Sequence, residues 1–281
     1  MAYNDSAEPM LKTEGLTVTF GGLHANDGID IVIPTGSFVG LIGPNGAGKT
    51  TFIDAITGFV PMSRGTAVFD GVSINGVAPH QRASRGLVRT FQSLELFEDL
   101  SVEDNLYAAA DDPPWWGFLA DIFWPTRLGN NNDVERAIEV MELEEFRDAL
   151  PQDLSQGQRK LVGVARALAG NPKLILLDEP AAGLDTAESQ LLGRRLRKLL
   201  DSDMTVFLID HDMGLVLSVC DYIYVLDFGR IIAAGTPHEI RENPAVILAY
   251  LGTEAGEMQE AGAHAARQEL DDPESEDERD M

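Results

Sequence analysis

The segment GPNGAGKT at residues 43–50 constrains the fold of this chain more than any other part of the sequence. It follows the apolar run FVGLI and precedes a helical pattern, TTFIDAITG, that ends near Gly58. A G-x-x-x-x-G-K-[ST] segment between a strand and a helix is typical of a loop whose backbone N–H groups surround phosphate oxygens, and the helix N-terminus adds partial positive charge. We therefore predict that Lys49 reaches the β- and γ-phosphates of a nucleotide and that the Thr50 hydroxyl ligates magnesium.

Strand-like and helical patterns alternate along the chain. GLTVTF and GIDIVI alternate apolar and polar residues, as half-exposed strands do, whereas LILLDEP and TVFLIDH are apolar strands that end at polar residues. YIYVLDFGRIIAAG is predicted to form a hairpin that turns at Phe228 and Gly229. Between about residues 93 and 150 the pattern is helical. The alternation predicts an α/β fold with a mostly parallel sheet and a helical subdomain inserted between sheet elements.

Two acidic residues follow the buried strand LILL. Asp178 emerges at its carboxyl end, the edge at which open parallel sheets bind ligands, and we predict that it holds magnesium through the metal's water shell. Glu179 is next to it and is predicted to polarise an attacking water. His211 follows the strand TVFLID at the same edge. Its spacing alone leaves two roles equally open, a contact with the γ-phosphate or a structural position.

The segment DLSQGQRKLVGVARAL predicts a second helix with an N-terminus suited to phosphate. Ser155 and Gln158 form an S-x-x-Q capping box, and Gly157 permits close approach of another molecule. The predicted buried stripe of this helix consists of Leu161, Val164, Ala165 and Leu168. Because this helix start has no predicted pocket of its own, we interpret it as completing the binding site of another subunit.

The formal net charge of −25 argues against nucleic acid as a main partner, since phosphate-backbone binding needs a basic surface. Residues 253–281 carry −9 of this charge and no periodic apolar positions, so we predict a disordered tail. The chain has 16 Arg and only 5 Lys, and an acidic, Lys-poor surface is typical of proteins adapted to high intracellular salt.

The sequence also predicts the compartment. The N-terminus MAYNDSAEPM lacks the basic and apolar regions of a secretory signal, and no apolar run approaches the roughly 20 residues that span a bilayer. The single cysteine, Cys220, is interpreted as a buried apolar residue. We expect a soluble chain in a reducing compartment.

Taken in order, these motifs resemble those of the ATP-binding subunits of ABC transporters over roughly residues 11–252. The resemblance implies a P-loop ATPase fold of that type, with an antiparallel β subdomain, a helical subdomain inserted at about 93–170 and the acidic tail 253–281 outside the domain. It implies hydrolysis of ATP coupled to transport. The residues that it assigns to nucleotide binding are Phe20, Gly43, Pro44, Asn45, Gly46, Ala47, Gly48, Lys49, Thr50, Thr51, Gln92, Ser155, Gly157 and Gln158.

The resemblance also implies individual roles. Phe20 stacks on adenine, and Gln92, in VRTFQ, senses magnesium and couples to the membrane subunit. The metal residues are then Thr50, Gln92 and Asp178. LSQGQ matches the signature LSGGQ with Gln156 in place of its first glycine, and AGLD (182–185) matches the loop at the dimer seam. His211 matches the switch histidine, which makes it a catalytic residue together with Glu179.

A narrower resemblance is to the ATPases of branched-chain amino acid importers, the LivG type. It rests on FGGLHANDGIDIVI, GLVRTFQSLELFEDLSVEDNL, DEPAAGL and GTPHEIRENPAVILAYLG. It implies a second ATPase subunit (a paralogue or a second copy), two transmembrane permease subunits and, indirectly, an extracytoplasmic solute-binding protein. The expected location is peripheral, on the cytoplasmic face of the cell membrane. Urea or amide importers use similar subunits and remain an alternative.

Other classes fit the sequence less well. Soluble ABC ATPases of translation or repair usually have two ATPase domains or a long coiled-coil insertion, and this chain has neither pattern. A P-loop kinase or GTPase would lack the signature helix, and no N-K-x-D base reader is found. The aromatic segment PPWWGFLADIFWP (113–125) predicts either packing within the helical subdomain or docking against the permease or lipid headgroups.

Overall fold

The computed structural model describes residues 9–90, 96–110, 131–202 and 204–250. The described strands are β1 (Pro9–Phe20), β2 (Leu23–Pro34), β3 (Phe38–Ile42), β4 (Arg64–Phe69), β5 (Val72–Ser73), β6 (Leu87–Thr90), β7 (Leu174–Asp178), β8 (Thr205–Ile209), β9 (Tyr222–Asp227) and β10 (Arg230–Gly235). The described helices are α1 (Lys49–Thr57), α2 (Pro79–Ala83), α3 (Val102–Ala110), α4 (Asn131–Met141), α5 (Gln156–Ala169), α6 (Thr186–Arg197), α7 (Met213–Val219) and α8 (Pro237–Glu242). Residues 244–250 are also helical.

The larger sheet has the strand order β10-β9-β3-β8-β7-β6. Strands β9, β3, β8, β7 and β6 pair in parallel, and β10 alone runs antiparallel, as the partner of β9. Every residue of β3, β7 and β8 is buried, which is why these strands are continuous apolar runs rather than alternating ones. The predicted mostly parallel sheet is confirmed, and the carboxyl ends of β3, β7 and β8 meet at one edge.

The smaller sheet is antiparallel and has the order β2-β1-β4-β5. Its buried face, which includes Leu11, Ile29 and Ile31, shares a core cluster with Phe52 of α1 and Phe207 of β8. The rings of Phe52 and Phe207 meet edge to face, 6.2 Å apart. This cluster fixes α1, and therefore the loop in front of it, between the two sheets.

The helices α3, α4 and α5 follow β6 and precede β7 along the chain. Their apolar faces meet through Leu106, Ile138 and Leu161 in a second core cluster that continues onto the larger sheet at Ile175. The helical block is thus inserted between two neighbouring strands, as the sequence predicts.

Helix α4 ends at Met141, before the end of the helical pattern that was predicted to continue to about residue 150. Glu142 has a positive φ of 51°, the Leu143 amide donates to the Ile138 carbonyl, and the Glu142 amide donates to the Glu139 carbonyl. These two bonds form a Schellman C-cap, in which glycine is the usual residue at the positive-φ position. The side chain of Glu142 forms ion pairs with Arg195 of α6 and with Lys198, the residue after that helix. The ion pairs link the end of α4 to the end of α6.

Three predictions concern residues outside the described ranges. They are the role of Gln92, the packing of the aromatic segment 113–125 and the disorder of the tail 253–281. All three stay predictions.

Candidate active site

The phosphate loop lies between the end of β3 and the start of α1, at the carboxyl edge of the larger sheet. A Cβ atom on Gly43 would lie 2.1 Å from the Leu226 carbonyl oxygen, and one on Gly48 would lie 2.5 Å from the Ala25 carbonyl oxygen. Gly48 also has a φ of 105°, which favours glycine. Glycine is therefore required at both positions by the approach of neighbouring backbone as well as by any phosphate.

Two neighbouring segments hold this loop in place. The Gly229 amide, in the β9–β10 turn, donates to the Ala47 carbonyl at 2.8 Å, and the Asp27 amide donates to the Gly229 carbonyl at 2.8 Å. The Asn26 side-chain amide donates to the Gly48 carbonyl at 3.1 Å. Phe228 and Gly229 both have positive φ, as the predicted hairpin turn requires. The loop is therefore preorganised by contacts with both sheets.

Lys49 is buried within the loop, with 7% of its surface exposed. Its Nζ donates to the carbonyl oxygens of Gly43 (2.6 Å) and Pro44 (3.1 Å). Burial lowers the pKa of this ammonium group, and the nearby carboxylates of Glu179, Asp210 and Asp178 oppose that shift. Among the described residues the hydrogen-bond partners of this ammonium group are neutral carbonyls, so it can exchange them for charged phosphate oxygens.

The acidic edge of the site begins at Asp178, the last residue of β7. Burial raises the pKa of its carboxyl group, and the hydrogen bond from Arg89 opposes this. Glu179 follows with a φ of 47°, a strained conformation for a residue with a side chain, and its amide donates to the Ile209 carbonyl at 2.7 Å. The backbone of Glu179 is thus tied to the end of β8.

His211 lies on the same edge as Glu179. Its Nδ1 is 3.8 Å from Glu179 Oε1 and 3.5 Å from Asp210 Oδ1, and 54% of its side chain is exposed. Asp210 is fully buried and accepts backbone N–H bonds from Ala181 and Asp212, while burial raises its pKa. The structure therefore brings together the two residues predicted to be catalytic and leaves the imidazole accessible.

The capping box at the start of α5 is confirmed. The Gln158 amide donates to Ser155 Oγ at 3.3 Å, and the Ser155 amide donates to Gln158 Oε1 at 2.8 Å. A Cβ atom on Gly157 would lie 3.2 Å from Glu188 Oε1 of α6. Ser155, Gly157 and Gln158 line an open groove whose acidic residues are Glu142, Glu144, Glu145 and Glu188. The predicted phosphate contact therefore lies beside negative charge.

The remaining predicted residues have simpler positions. Phe20 ends β1 and is 51% exposed, so its ring is accessible to a planar ligand. Thr50 and Thr51 occupy the first turn of α1. Gln92 lies outside the described residues.

The donor set fits magnesium rather than an all-protein metal site. Thr50 and Asp178 offer hydroxyl and carboxylate oxygens, the ligands that this hard cation prefers. In the described part of the chain no cluster of three or more His, Cys, Asp or Glu residues could hold a metal alone. Such a site suits magnesium, which usually keeps several waters and is bound through one or two protein oxygens plus phosphates.

Three site residues were not predicted from the sequence. Arg89 contacts Asp178, Asp210 lies next to the His211 ring, and the buried hydroxyl group of Tyr250 has no hydrogen-bond partner among the described residues. The Arg89 pair joins residues 89 positions apart, so no local pattern indicates it. Asp210 precedes the predicted His211 at a strand end, and that position is the one signal that could have identified it.

The comparisons with known proteins agree with this geometry. A family model described as "ABC transporter" matches residues 26–182, and one described as "Branched-chain amino acid ATP-binding cassette transporter" matches residues 230–256. The chain belongs to the ATP-binding subunits of ABC transporters. It is therefore a nucleotide-binding cassette and an ATP-hydrolysing subunit, as the motifs predict.

Curated relatives match this cassette over most of its length. BraF of Pseudomonas aeruginosa, a high-affinity branched-chain amino acid transport ATP-binding protein, is 40% identical over 88% of the cassette and 99% of BraF. LivG of Escherichia coli, which has the same description, is 36% identical over 88% of the cassette and 99% of LivG. LptB of Escherichia coli, a lipopolysaccharide export system ATP-binding protein, is 38% identical over 86% of the cassette and 97% of LptB.

A solved structure also matches this chain over most of its length. The ADP conformation of MJ1267, an ATP-binding cassette of an ABC transporter, is 30% identical with a TM-score of 0.77, covering 88% of this cassette and all of that chain. None of the helices in the described ranges combines the length and apolarity needed to cross a bilayer.

Proposed function

We propose that the cassette hydrolyses MgATP to power the import of branched-chain amino acids, or closely related small solutes, across the cell membrane. The observation that carries this proposal is the match of residues 230–256 to the branched-chain amino acid family model. The descriptions of BraF and LivG support it. The site residues act as follows.

The phosphate loop binds the phosphates of ATP through its backbone N–H groups and Lys49. Hydrogen bonds to the carbonyls of Gly43 and Pro44 hold Lys49 at the loop. Thr50, Gln92 and Asp178 hold magnesium, which when bound neutralises charge on the phosphate oxygens. Phe20 stacks on adenine.

Glu179 activates the attacking water. It follows Asp178 directly in the chain, and its backbone, which has a positive φ and donates to the Ile209 carbonyl, holds the side chain at the edge of the sheet where the phosphate loop lies. His211, within 4 Å of that carboxylate, orients it and contacts the γ-phosphate. A preorganised base of this kind contributes on the order of 10²–10⁴ in rate.

Assembly completes the site. Ser155, Gly157 and Gln158 of one cassette contact the γ-phosphate bound to the other, which is a paralogue or a second copy. The exposed, capped N-terminus of α5 supports this role. The pair docks on two transmembrane permease subunits at the cytoplasmic face of the membrane, and a solute-binding protein outside delivers the solute. Nucleic acid is not a partner, since the net charge is −25.

One observation favours a second candidate function. LptB, an export ATPase by its description, is 38% identical to this cassette, close to the values for BraF and LivG. A cassette of this subfamily could therefore power export. Import of urea or amides is the other alternative within the same class.

The experiment is deletion of this subunit in its host, followed by uptake assays with labelled leucine, isoleucine, valine and urea. We expect loss of uptake of the three amino acids, restored by the wild-type gene and not by Lys49→Ala. Loss of urea uptake alone would establish the urea alternative. Unchanged uptake of all four would reject both the branched-chain amino acid and the urea assignments and would leave the ATPase assignment intact.

A further inference from the structure

Arg89 makes a two-sided ion pair at the edge of the candidate site. Its Nη2 donates to Asp178 Oδ2 at 2.7 Å, and its Nη1 donates to Asp54 Oδ1 at 2.5 Å. The side chains of Arg89 and Asp178 are only 10% and 9% exposed, so water screens this contact weakly. The planar guanidinium donates a different N–H group to each carboxylate, so the contact with Asp178 does not depend on the one with Asp54.

The three residues belong to three elements of the candidate site. Arg89 lies on β6, three residues before Gln92, and Asp178 ends the neighbouring strand β7. Asp54 lies on α1, the helix that begins with Lys49 and Thr50. One side chain therefore connects the strand leading to Gln92, the strand ending at Asp178 and the helix behind the phosphate loop.

The contact occupies one oxygen of Asp178 and leaves the other available. Oδ2 accepts from Arg89, whereas Oδ1 accepts no hydrogen bond from any described residue. A carboxylate that rotated freely would present either oxygen, or both, to a cation. The Arg89 contact restricts that rotation, because Oδ2 is held by the guanidinium and Oδ1 is the oxygen left for a cation.

We propose that Arg89 is a positioning residue, which holds Oδ2 of Asp178 so that Oδ1 would be kept for magnesium and which ties the orientation of this carboxylate to β6. This inference rests on the magnesium role of Asp178 proposed above. Residues that orient a metal ligand typically contribute 10–100-fold in metal affinity.

Two other roles for Arg89 predict different results. If the guanidinium acted only as a positive charge, its repulsion would oppose magnesium, and removing it would tighten magnesium binding. If it were only a scaffold, its removal would lower stability and leave the magnesium response unchanged. The direction of the change in magnesium requirement therefore separates positioning from both.

The test measures the magnesium concentration that gives half of the rise in melting temperature caused by a non-hydrolysable ATP analogue. For Arg89→Met we expect a requirement about tenfold higher than wild type or more, while magnesium-free binding of the analogue stays within about twofold. Arg89→Lys keeps the charge without the planar fork, and it should raise the requirement by about threefold or more. Asp54→Asn is the matched control: it leaves the contact of Arg89 with Asp178 in place and should change the magnesium requirement less than threefold.

An unchanged or lower requirement in Arg89→Met overturns the inference. If Arg89→Met does not fold, Arg89→Lys decides in the same way, and a wild-type requirement in that variant overturns the inference. Asp178→Asn separates the two proposals. A wild-type requirement in Asp178→Asn rejects the magnesium role of Asp178, whereas a raised requirement there with no change in Arg89→Met rejects only the role of Arg89.

Discussion

Glu179 has a backbone conformation that residues with side chains rarely adopt. Its φ of 47° costs on the order of 1–3 kcal/mol, and its amide bond to the Ile209 carbonyl holds it there. Glu179 lies between the end of β7 and Pro180. In this strained conformation its carboxylate lies near His211. A position of this kind is expected where the direction of a side chain matters more than local stability.

Glu179→Gln keeps the side chain's shape and removes the base. Because Lys49 and Asp178 are untouched, ATP should still bind, while hydrolysis falls by roughly 10²–10⁴-fold. Phosphate release in saturating MgATP measures this, with Glu139→Gln on the exposed face of α4 as the matched control. Normal hydrolysis by Glu179→Gln would show that another group activates the water.

Tyr250 has a buried hydroxyl that makes no hydrogen bond of ordinary geometry with any described residue, and its side chain packs against the core cluster that joins the helical block to the larger sheet. Burial raises its pKa to about 12, a shift that Asp210 reinforces and that the nearby Gly43 amide, too poorly placed for a hydrogen bond, opposes. An unpaired buried hydroxyl is destabilising, so Tyr250→Phe should leave the free energy of unfolding at pH 7 unchanged or raise it by about 1 kcal/mol.

The same variant should change the response to alkali. Unfolded tyrosine loses its proton near pH 10 and folded Tyr250 near 12, so the native state binds more protons in this interval and wild-type stability falls as the pH rises. The stability gap between Tyr250→Phe and wild type should therefore widen from pH 10 to 12. Urea unfolding at several pH values measures it, and a constant gap would contradict the prediction.

At the scale of elements, the N-terminus of α5 has two roles that one substitution can separate. Its capping box stabilises the helix by about 1 kcal/mol, and the same exposed residues are proposed to contact a neighbouring subunit's phosphate. A pure cap should tolerate a bulky exposed residue at that small cost.

Glu179→Gln should accumulate an ATP-bound dimer, because hydrolysis no longer releases it. Adding Ser155→Arg should abolish that dimer, since its side chain occupies the space that phosphate requires. Size-exclusion chromatography in high KCl with MgATP tests this, and Glu179→Gln with Ser155→Ala controls for loss of the cap. If Glu179→Gln with Ser155→Arg dimerises as much as Glu179→Gln alone, the N-terminus of α5 has a capping role only.

Elements with strong local signals were predicted well, and those specified by distant contacts were not. FVGLI, LILLD and TVFLI are buried on both faces, so composition alone identifies β3, β7 and β8. Strand β6 has four residues and a half-buried pattern, too short for a periodic signal, and it was not predicted. The phosphate loop is a local motif, whereas the contact of Arg89 with Asp178 depends on pairing between β6 and β7.

For the whole molecule, negative charge is the dominant long-range force. The first 252 residues carry −16, and four acidic residues flank the groove at Ser155. Like charges repel within the folded chain and between two approaching cassettes, and salt screens this repulsion over about 10 Å at 0.1 M.

The melting temperature should therefore rise with KCl, and so should the ATP-dependent dimerisation of Glu179→Gln. Differential scanning fluorimetry between low and molar KCl measures the first effect. Sorbitol at matched osmolality is the control, since it screens no charge. A melting temperature that is flat in KCl would count against adaptation to high salt.

The order of strands in the larger sheet also determines when the protein can fold. Strand β3 is central, yet its neighbours β8 and β9 are synthesised roughly 160 and 180 residues later. At 5–20 residues per second, a ribosome leaves both edges of β3 unpaired for roughly ten to thirty seconds. The nascent phosphate loop also lacks the Gly229 bond until the hairpin emerges. A growing chain therefore lacks a complete phosphate site during that interval, and its unpaired strand edges are open to any chaperone that binds nascent chains.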